Sequence, residues 1–321
     1  MIPMKLQAGD ELRVISPAES MTLINDDTRN LAIKRLEEMG LIVSFSTYAY
    51  EDRPSIAQRV SDIHEAFLDP NVKIILTTIG GYNSNQLLSY IDYDLISKKP
   101  KIFCGFSDIT ALANAIYKKT GLVTYSGPHF STLGMKKGIS YTVEHFKNTF
   151  FNDVPFTIQT SDLWSDDAWF LDQEKRIFHN HDGYEIINEG HAVGTSIGGN
   201  LCTLNLLQGT EFMPPLESAI LLLEDDLLSN VQTFDRDLQS LIHQPGFANV
   251  KGLIIGRFQE ASNVSLDSLK EVIQTKDTLT SIPVIAKASF GHTTPQFTFP
   301  IGGKVQLSAS NHHVSVRLIE F

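Results

Sequence analysis

The sequence predicts an α/β protein. Its N-terminal part is expected to be a doubly wound, mainly parallel sheet with helices on both faces, followed by a smaller C-terminal α/β domain of swivelling β/α/β type. Two observations predict this. Short apolar runs alternate with amphipathic stretches over the first 130 residues, the pattern of consecutive βαβ units. A second alternating series begins at Tyr184, after a polar segment that interrupts the first. The expected division is an N-terminal domain at 1–140, a linker and active-site loop at 141–183, and a C-terminal domain at 184–321.

Taken in order, residues 12–16 read as the first strand, and Pro17-Ala-Glu-Ser leaves it. A helix starts at Asp27 or Thr28, with Leu31, Ile33, Leu36 and Met39 on its apolar side and Gly40 as its stop. Residues 41–46 form the second strand. The helix at 57–68 turns Val60, Ile63, Ala66 and Phe67 inward, and 72–78 is the third strand. Ile79-Gly80-Gly81-Tyr82-Asn83-Ser84-Asn85 follows it, then a helix to about Tyr90. Ligands of open parallel sheets sit at the carboxyl ends of strands, where Gly80-Gly81 lies.

The most informative stretch is Lys101-Ile-Phe-Cys-Gly-Phe-Ser107-Asp-Ile-Thr110. Residues 102–106 are a short buried strand. The helix after it has Ile109, Leu112, Ala113, Ile116 and Tyr117 on one face, and Gly121 closes it. A serine on so tight a corner is pushed out above the sheet edge, and the Asp108 N–H points into the same space from a helix N-terminus. This is the presentation of a nucleophilic serine. Ser and Asp are also ordinary helix N-caps, and Ile109 stands where a full G-x-S-x-G elbow has its last glycine, so both readings stay open here.

After Leu122-Val-Thr-Tyr-Ser126 and Gly127-Pro128, the segment from 140 to 183 breaks the pattern and reads as linker or loop. It carries both tryptophans in Trp164-Ser-Asp-Asp-Ala-Trp169. Beyond it, 219–223 is an apolar strand ending in Glu224-Asp225-Asp226. Helices are expected at 233–242 and 266–274, strands at 250–256 and 284–286, and β structure at 305–307 and 314–319. Glu224 is carried at a rigid strand tip, and His292 lies in the Gly- and Pro-bounded loop Ser289-Phe-Gly-His-Thr-Thr-Pro295. Each alone also reads as an ordinary surface group. The order Ser, acid, His is one of the known triad orders.

Composition bounds the rest. A chain of 321 residues with 42% hydrophobic and 20% charged residues is an ordinary globular protein. A net charge of -11 argues against a nucleic-acid partner. No apolar run reaches the length of a membrane span, and the N-terminus lacks a signal-peptide pattern. Cys104 and Cys202, each in an apolar setting, are expected to be buried free thiols, which suggests the cytoplasm. His179-Asn-His181-Asp182 has the look of a metal tract, but histidines two apart in a polar loop are more often solvated. His312-His313 alternate to opposite faces of a strand, against joint chelation. No metal or cofactor is expected.

Gly105-Phe-Ser107-Asp108-Ile-Thr110, Leu222-Leu-Glu224-Asp225 and Gly291-His292 together resemble the serine peptidase family of the LD-carboxypeptidases and its microcin C self-immunity branch. The resemblance spans nearly the whole chain. It includes Gly80-Gly81, the Arg59-x-x-Asp62-Ile63-x-x-Ala66-Phe67 helix, Gly127-Pro128, Gly198-Gly199-Asn200 and Asp235-Arg236. Ile79-Gly80-Gly81-Tyr82-Asn83-Ser84-Asn85 and the tryptophan loop look like the self-immunity branch.

The resemblance implies a triad of Ser107, His292 and Glu224 assembled across the two domains. It also implies oxyanion donors on Gly81 and Asp108, and substrate contacts at Gly80, Asn83 and Asn200. Trp164 and Trp169, in their acidic loop, read equally as core anchors or as rings that stack on a nucleobase. The implied substrate is a peptidyl- or aminoacyl-nucleotide, or alternatively a muropeptide losing its terminal D-alanine, and a homodimer is implied as well. A non-catalytic module that merely binds a nucleotide or peptide is the rival of another class. It would have no need of the three residues together.

Overall fold

A computed structural model describes residues 1–311 and 313–321. Its first sheet has six strands, in the order Phe299–Ile301, Thr124–Ser126, Ile102–Gly105, Val72–Thr77, Glu11–Ile15 and Ile42–Phe45. All neighbours are parallel except the edge strand Phe299–Ile301, which runs antiparallel to Thr124–Ser126. The helix Ile56–Leu68 covers this sheet with Val60, Ile63, Ala66 and Phe67 inward, and a capping box of Ser55 with Gln58 starts it. The helix Asp26–Glu38 buries Thr28, Ala32 and Leu36, so its inward stripe is centred one position from the expected Leu31 and Ile33.

The second sheet runs Phe156–Ile158, His313–Glu320, Lys304–Ser310, Gly190–Asn200, Ala219–Glu224, Gly252–Gly256, Val284–Ala288, Glu185–Asn188. Its centre is parallel and its flanks antiparallel. With eight strands against six it is not the smaller sheet; the long hairpin of its last two strands and the contribution of Phe156–Ile158 enlarge it. Two strands cross the expected division, since Phe299–Ile301 joins the first sheet and Phe156–Ile158 the second.

The helix Thr110–Thr120 buries every position from Thr110 to Ile116 because it is wedged between the sheets. Asn114 Nδ2 donates to Gly198 O at 2.9 Å, and Thr110 Oγ1 accepts from Asn200 N at 3.0 Å. The side chain that opens this helix therefore also fixes the second sheet to the first.

Three expectations need correction. Part of the supposed linker is a helix, Ser140–Phe151, whose inward face of Thr142, His145, Phe146, Thr149 and Phe150 is too polar to read as an apolar stripe. The helix to Tyr90 is only a 3₁₀ turn, Ser84–Leu87, with a separate helix at Tyr93–Lys98. Cys104 is buried, but Cys202 is exposed: on the short helix Leu201–Asn205, residues 201, 203 and 204 turn inward and 202 faces out. His313 opens the last strand, and His312 lies outside the described residues. Among these residues no helix is long and apolar enough to cross a membrane.

Candidate active site

The strand Ile102–Gly105 ends and a 3₁₀ turn begins at Ser107, which holds φ +58°. A serine in the left-handed region costs roughly 1–3 kcal/mol and persists only where its surroundings enforce it. They do so here. The Asp108 carboxylate accepts from Asn83 N at 3.1 Å and Ser84 N at 2.9 Å, while Ser84 Oγ donates to Asp108 O at 2.7 Å. Neither Ser107 nor Asp108 caps the helix with its side chain, since the Thr110–Thr120 helix has no side-chain cap. The capping alternative is thus not what the fold uses, and the carboxylate instead latches the Gly80–Ser84 loop to the serine turn.

Glu224 ends the strand Ala219–Glu224 and is only 2% exposed. Its Oε2 accepts from His292 Nδ1 at 2.7 Å and from His292 N at 3.2 Å. Gly291 makes this approach possible: it sits at φ +91°, and a Cβ there would overlap the Glu224 carboxylate. With Nδ1–H given to the carboxylate, the bare Nε2 faces Ser107 Oγ at 3.0 Å. The three residues form one continuous chain of hydrogen bonds between the sheets. Gly80 lies beside it, where a Cβ would stand 3.0 Å from Ser107 Oγ. The Gly81 N–H has no acceptor among the described residues.

Two histidines flank the Phe106 ring, the buried His129 at 4.3 Å and the half-buried His292 at 5.4 Å between centroids. Burial lowers the His129 pKa to about 3, helped by the nearby His292. Burial also pulls on His292, but the Glu224 carboxylate and its hydrogen bond, with Asp226 and Asp225 behind it, leave that pKa raised above 6.5. Asp225 is pushed up to about 7 by burial and then by Glu224.

A cavity of about 540 Å³ opens onto Ser107 and His292, within the usual range for small-molecule sites. One wall comes from strand ends of the first sheet, with Glu19, Gly80, Gly81 and His129. Another comes from Asp226–Leu228 after the Glu224 strand, and a third from a strap containing Asp166–Phe170. The strap is tied to the histidine loop by paired backbone bonds between Ser165 and Thr294 at 2.8 and 2.7 Å.

The structure brings Gly80, Gly81, Ser107, His292 and Trp169 to the cavity, with Glu224 behind the histidine. Three expected contacts are elsewhere. Asn83 Oδ1 accepts from Arg59 Nη1 at 2.7 Å. The Asn200 amide donates to Asp225 Oδ1 at 3.0 Å and caps its own helix through Thr203 N, so its polar atoms are committed inside the protein. Trp164 lies under Arg257, 4.5 Å from ring centroid to guanidinium, and beside His179. Sequence reasoning missed Glu19, His129 and Leu227-Leu228 as wall residues. Each follows a strand at its carboxyl end, and that position is the signal that pointed to Gly80 and Ser107.

Known proteins agree with this architecture. The family model for the LD-carboxypeptidase N-terminal domain matches residues 12–127, and that for the C-terminal domain matches 193–307. YocD of Bacillus subtilis, a carboxypeptidase by name alone, is 57% identical over 313 residues, covering 96% of each chain. The crystal structure of an MccF-like protein from Bacillus anthracis superposes with a TM-score of 0.98 at 53% identity, covering 100% of both chains. The microcin C7 self-immunity protein MccF of Escherichia coli is 30% identical over 276 residues, 82% of this chain and 78% of that one. The structure of MccF in complex with aspartyl sulfamoyl adenosine superposes with a TM-score of 0.89 at 27% identity, covering 100% of this chain and 99% of that one. The chain belongs to the LD-carboxypeptidase family of serine peptidases.

Proposed function

We propose that this protein is an MccF-like hydrolase that cuts the amide or acyl-phosphoramidate-type bond joining an aminoacyl or peptidyl group to a nucleotide. The observation that carries the reading is the Ser107–His292–Glu224 chain of hydrogen bonds opening onto the 540 Å³ cavity. His292 Nε2 takes the Ser107 proton as Oγ attacks the acyl carbon. The oxyanion is held by the N–H groups of Gly81 and Asp108, and His292 returns the proton to the leaving nitrogen. Water then enters by the reverse of the same steps and frees the acid. Glu224 holds the imidazole tautomer and stabilises the imidazolium. Trp169, on the cavity wall, is the residue in position to stack on the nucleobase. In this reading Asn200 acts through Asp225 rather than by touching substrate. The reading places the protein in the cytoplasm, as a homodimer, where its activity confers resistance to microcin C-type compounds.

The second reading is an LD-carboxypeptidase that releases D-alanine from murein tetrapeptide. Its substrate ends in a free carboxylate, which calls for a basic partner. Among the described residues no lysine or arginine lines this cavity, and Arg236, the candidate that the sequence offers for a carboxylate pocket, is 75% exposed beside Asp237 in a separate depression with Asp235 and Lys276. That favours the first reading.

A paired assay separates the two: aspartyl-sulfamoyl adenosine against murein tetrapeptide, products read by mass spectrometry, with Ser107→Ala as control. Release of the sulfamoyl nucleoside supports the first reading, and release of D-alanine alone supports the second. A Ser107→Ala protein that still turns over substrate at the parent rate removes the nucleophile assignment.

A further inference from the structure

The walls of the cavity carry an unusual charge balance. Among the described residues, no lysine or arginine lines it, whereas Glu19, Asp166, Asp167 and Asp226 all do. Asp167 is neutralised by Arg176, Nε to Oδ1 at 2.5 Å. The other three have no cationic partner: Asp166 accepts from Glu260 N at 2.6 Å, and Asp226 from Leu228 N at 2.8 Å. The Glu19 carboxylate has no hydrogen bond or ion pair among the described residues. The nearby guanidinium of Arg59 is committed to Pro17 O, Asn83 and Gln86, and that of Arg257 is covered by Trp164.

The same walls are apolar at their rim. Tyr82 is 78% exposed, Leu228 66%, Phe170 62% and Leu227 52%. Exposed apolar side chains gathered around one cavity mark a surface that is covered when a ligand binds.

We infer that the site selects an aminoacyl group with a free α-ammonium and an apolar or aromatic side chain, and that it discriminates against acidic side chains. The inference rests on the aminoacyl-nucleotide reading above and concerns which amino acid that reading admits. Glu19 is placed for the ammonium. Its side chain lies against Gly81, where a Cβ would be 3.0 Å from Glu19 Cγ. The acyl oxygen sits at the Gly81 N–H, and the α-carbon is one bond from the acyl carbon. With Glu19 paired to the ammonium, a carboxylate on the substrate side chain would meet Asp166 and Asp226 and no lysine or arginine, which costs affinity in a partly desolvated site. Tyr82, Leu227 and Leu228 give an apolar side chain its contact area.

The test measures kcat/KM for leucyl-, phenylalanyl- and aspartyl-sulfamoyl adenosine and for N-acetyl-leucyl-sulfamoyl adenosine, in the parent protein and in Glu19→Gln and Leu228→Lys. The expected result is that leucyl and phenylalanyl substrates exceed aspartyl by about tenfold or more. N-acetylation is expected to cost the parent about tenfold and to cost Glu19→Gln far less, and Leu228→Lys is expected to narrow the gap between leucyl and aspartyl. Aspartyl substrate cleaved as well as leucyl overturns the inference and leaves the hydrolase reading standing. No cleavage of any sulfamoyl nucleoside by folded parent protein overturns both.

Discussion

The serine turn and the tryptophan strap face each other across one cavity and are built in opposite ways. The serine turn is packed and over-determined: Asp108 is 3% exposed and binds two backbone N–H groups of the neighbouring loop. The strap is held by separate ties along its length: the Ser165–Thr294 backbone pair, the Asp166 bond to Glu260 N, the Asp167–Arg176 pair, Trp164 under Arg257, and the bonds of Gln173 and Glu174 to Gly134, Lys136 and Lys137. At its tip Phe170 and Leu171 are 62% and 79% exposed. Under the proposed reaction the difference separates chemistry from recognition: the packed side fixes the Ser107–His292–Glu224 atoms to within a hydrogen-bond length, and the strap supplies exposed surface facing them. Substitutions on the rigid side should therefore act on kcat, and those on the strap on KM.

The largest effect expected is at the triad. Ser107→Ala or His292→Ala should lower kcat by up to about a million-fold, with Glu224→Gln about a hundredfold less severe. Stopped assays with a direct binding measurement on Ser107→Ala check this, and ligand binding should survive. Next is Asp108→Ala, which removes the latch on Asn83 N and Ser84 N. Loss of the aligned Gly81 donor should cost about 10²–10³-fold in kcat. An equal loss in KM alone would mean the latch shapes binding instead.

The serine turn was legible in the sequence because its cause is local: an apolar strand, no spare residues, and a helix directly after. Glu224 and His292 were legible as candidates, each at the end of a strand, but their partnership is not local. It depends on Gly291 admitting the carboxylate, a contact between residues 68 apart in sequence. The strap is the reverse case. Both tryptophans sit in one polar run, and nothing in that run says that Trp164 pairs with the distant Arg257 while Trp169 reaches the cavity. Asn200 was a ligand contact only by the family resemblance, which says nothing of its neighbours; here its partner is the buried Asp225. The Ser140–Phe151 helix was hidden because Thr142, His145 and Thr149 share its inward face with Phe146 and Phe150 and break the apolar stripe.

Smaller effects sharpen the comparison. Trp169→Ala should raise KM for a nucleoside substrate about tenfold and leave kcat nearly unchanged, since base–aromatic stacking contributes about 1–3 kcal/mol. Trp164→Ala should not reproduce that pattern if the two tryptophans are divided as the structure divides them. The pH profile gives the smallest shift. His292 acts as a base only when neutral, and its pKa is raised, so kcat/KM should be lost on acidification at a pH above the ordinary 6.5. Asp225 titrates nearby, at about 7, so the limb belongs to both groups. Asp225→Asn removes a charge that supports the imidazolium and should move the limb to lower pH; an upward move would contradict the assignment.

The central claim is that Ser107 carries the acyl group. It is tested most directly by mixing enzyme with leucyl-sulfamoyl adenosine in slight excess, quenching with acid within one turnover, and reading the protein by intact and peptide mass spectrometry. The account predicts a transient mass gain equal to the leucyl residue, confined to the peptide containing Ser107 and absent from Ser107→Ala. Hydrolysis at full rate with no adduct on that peptide, or an adduct on another residue, would contradict it.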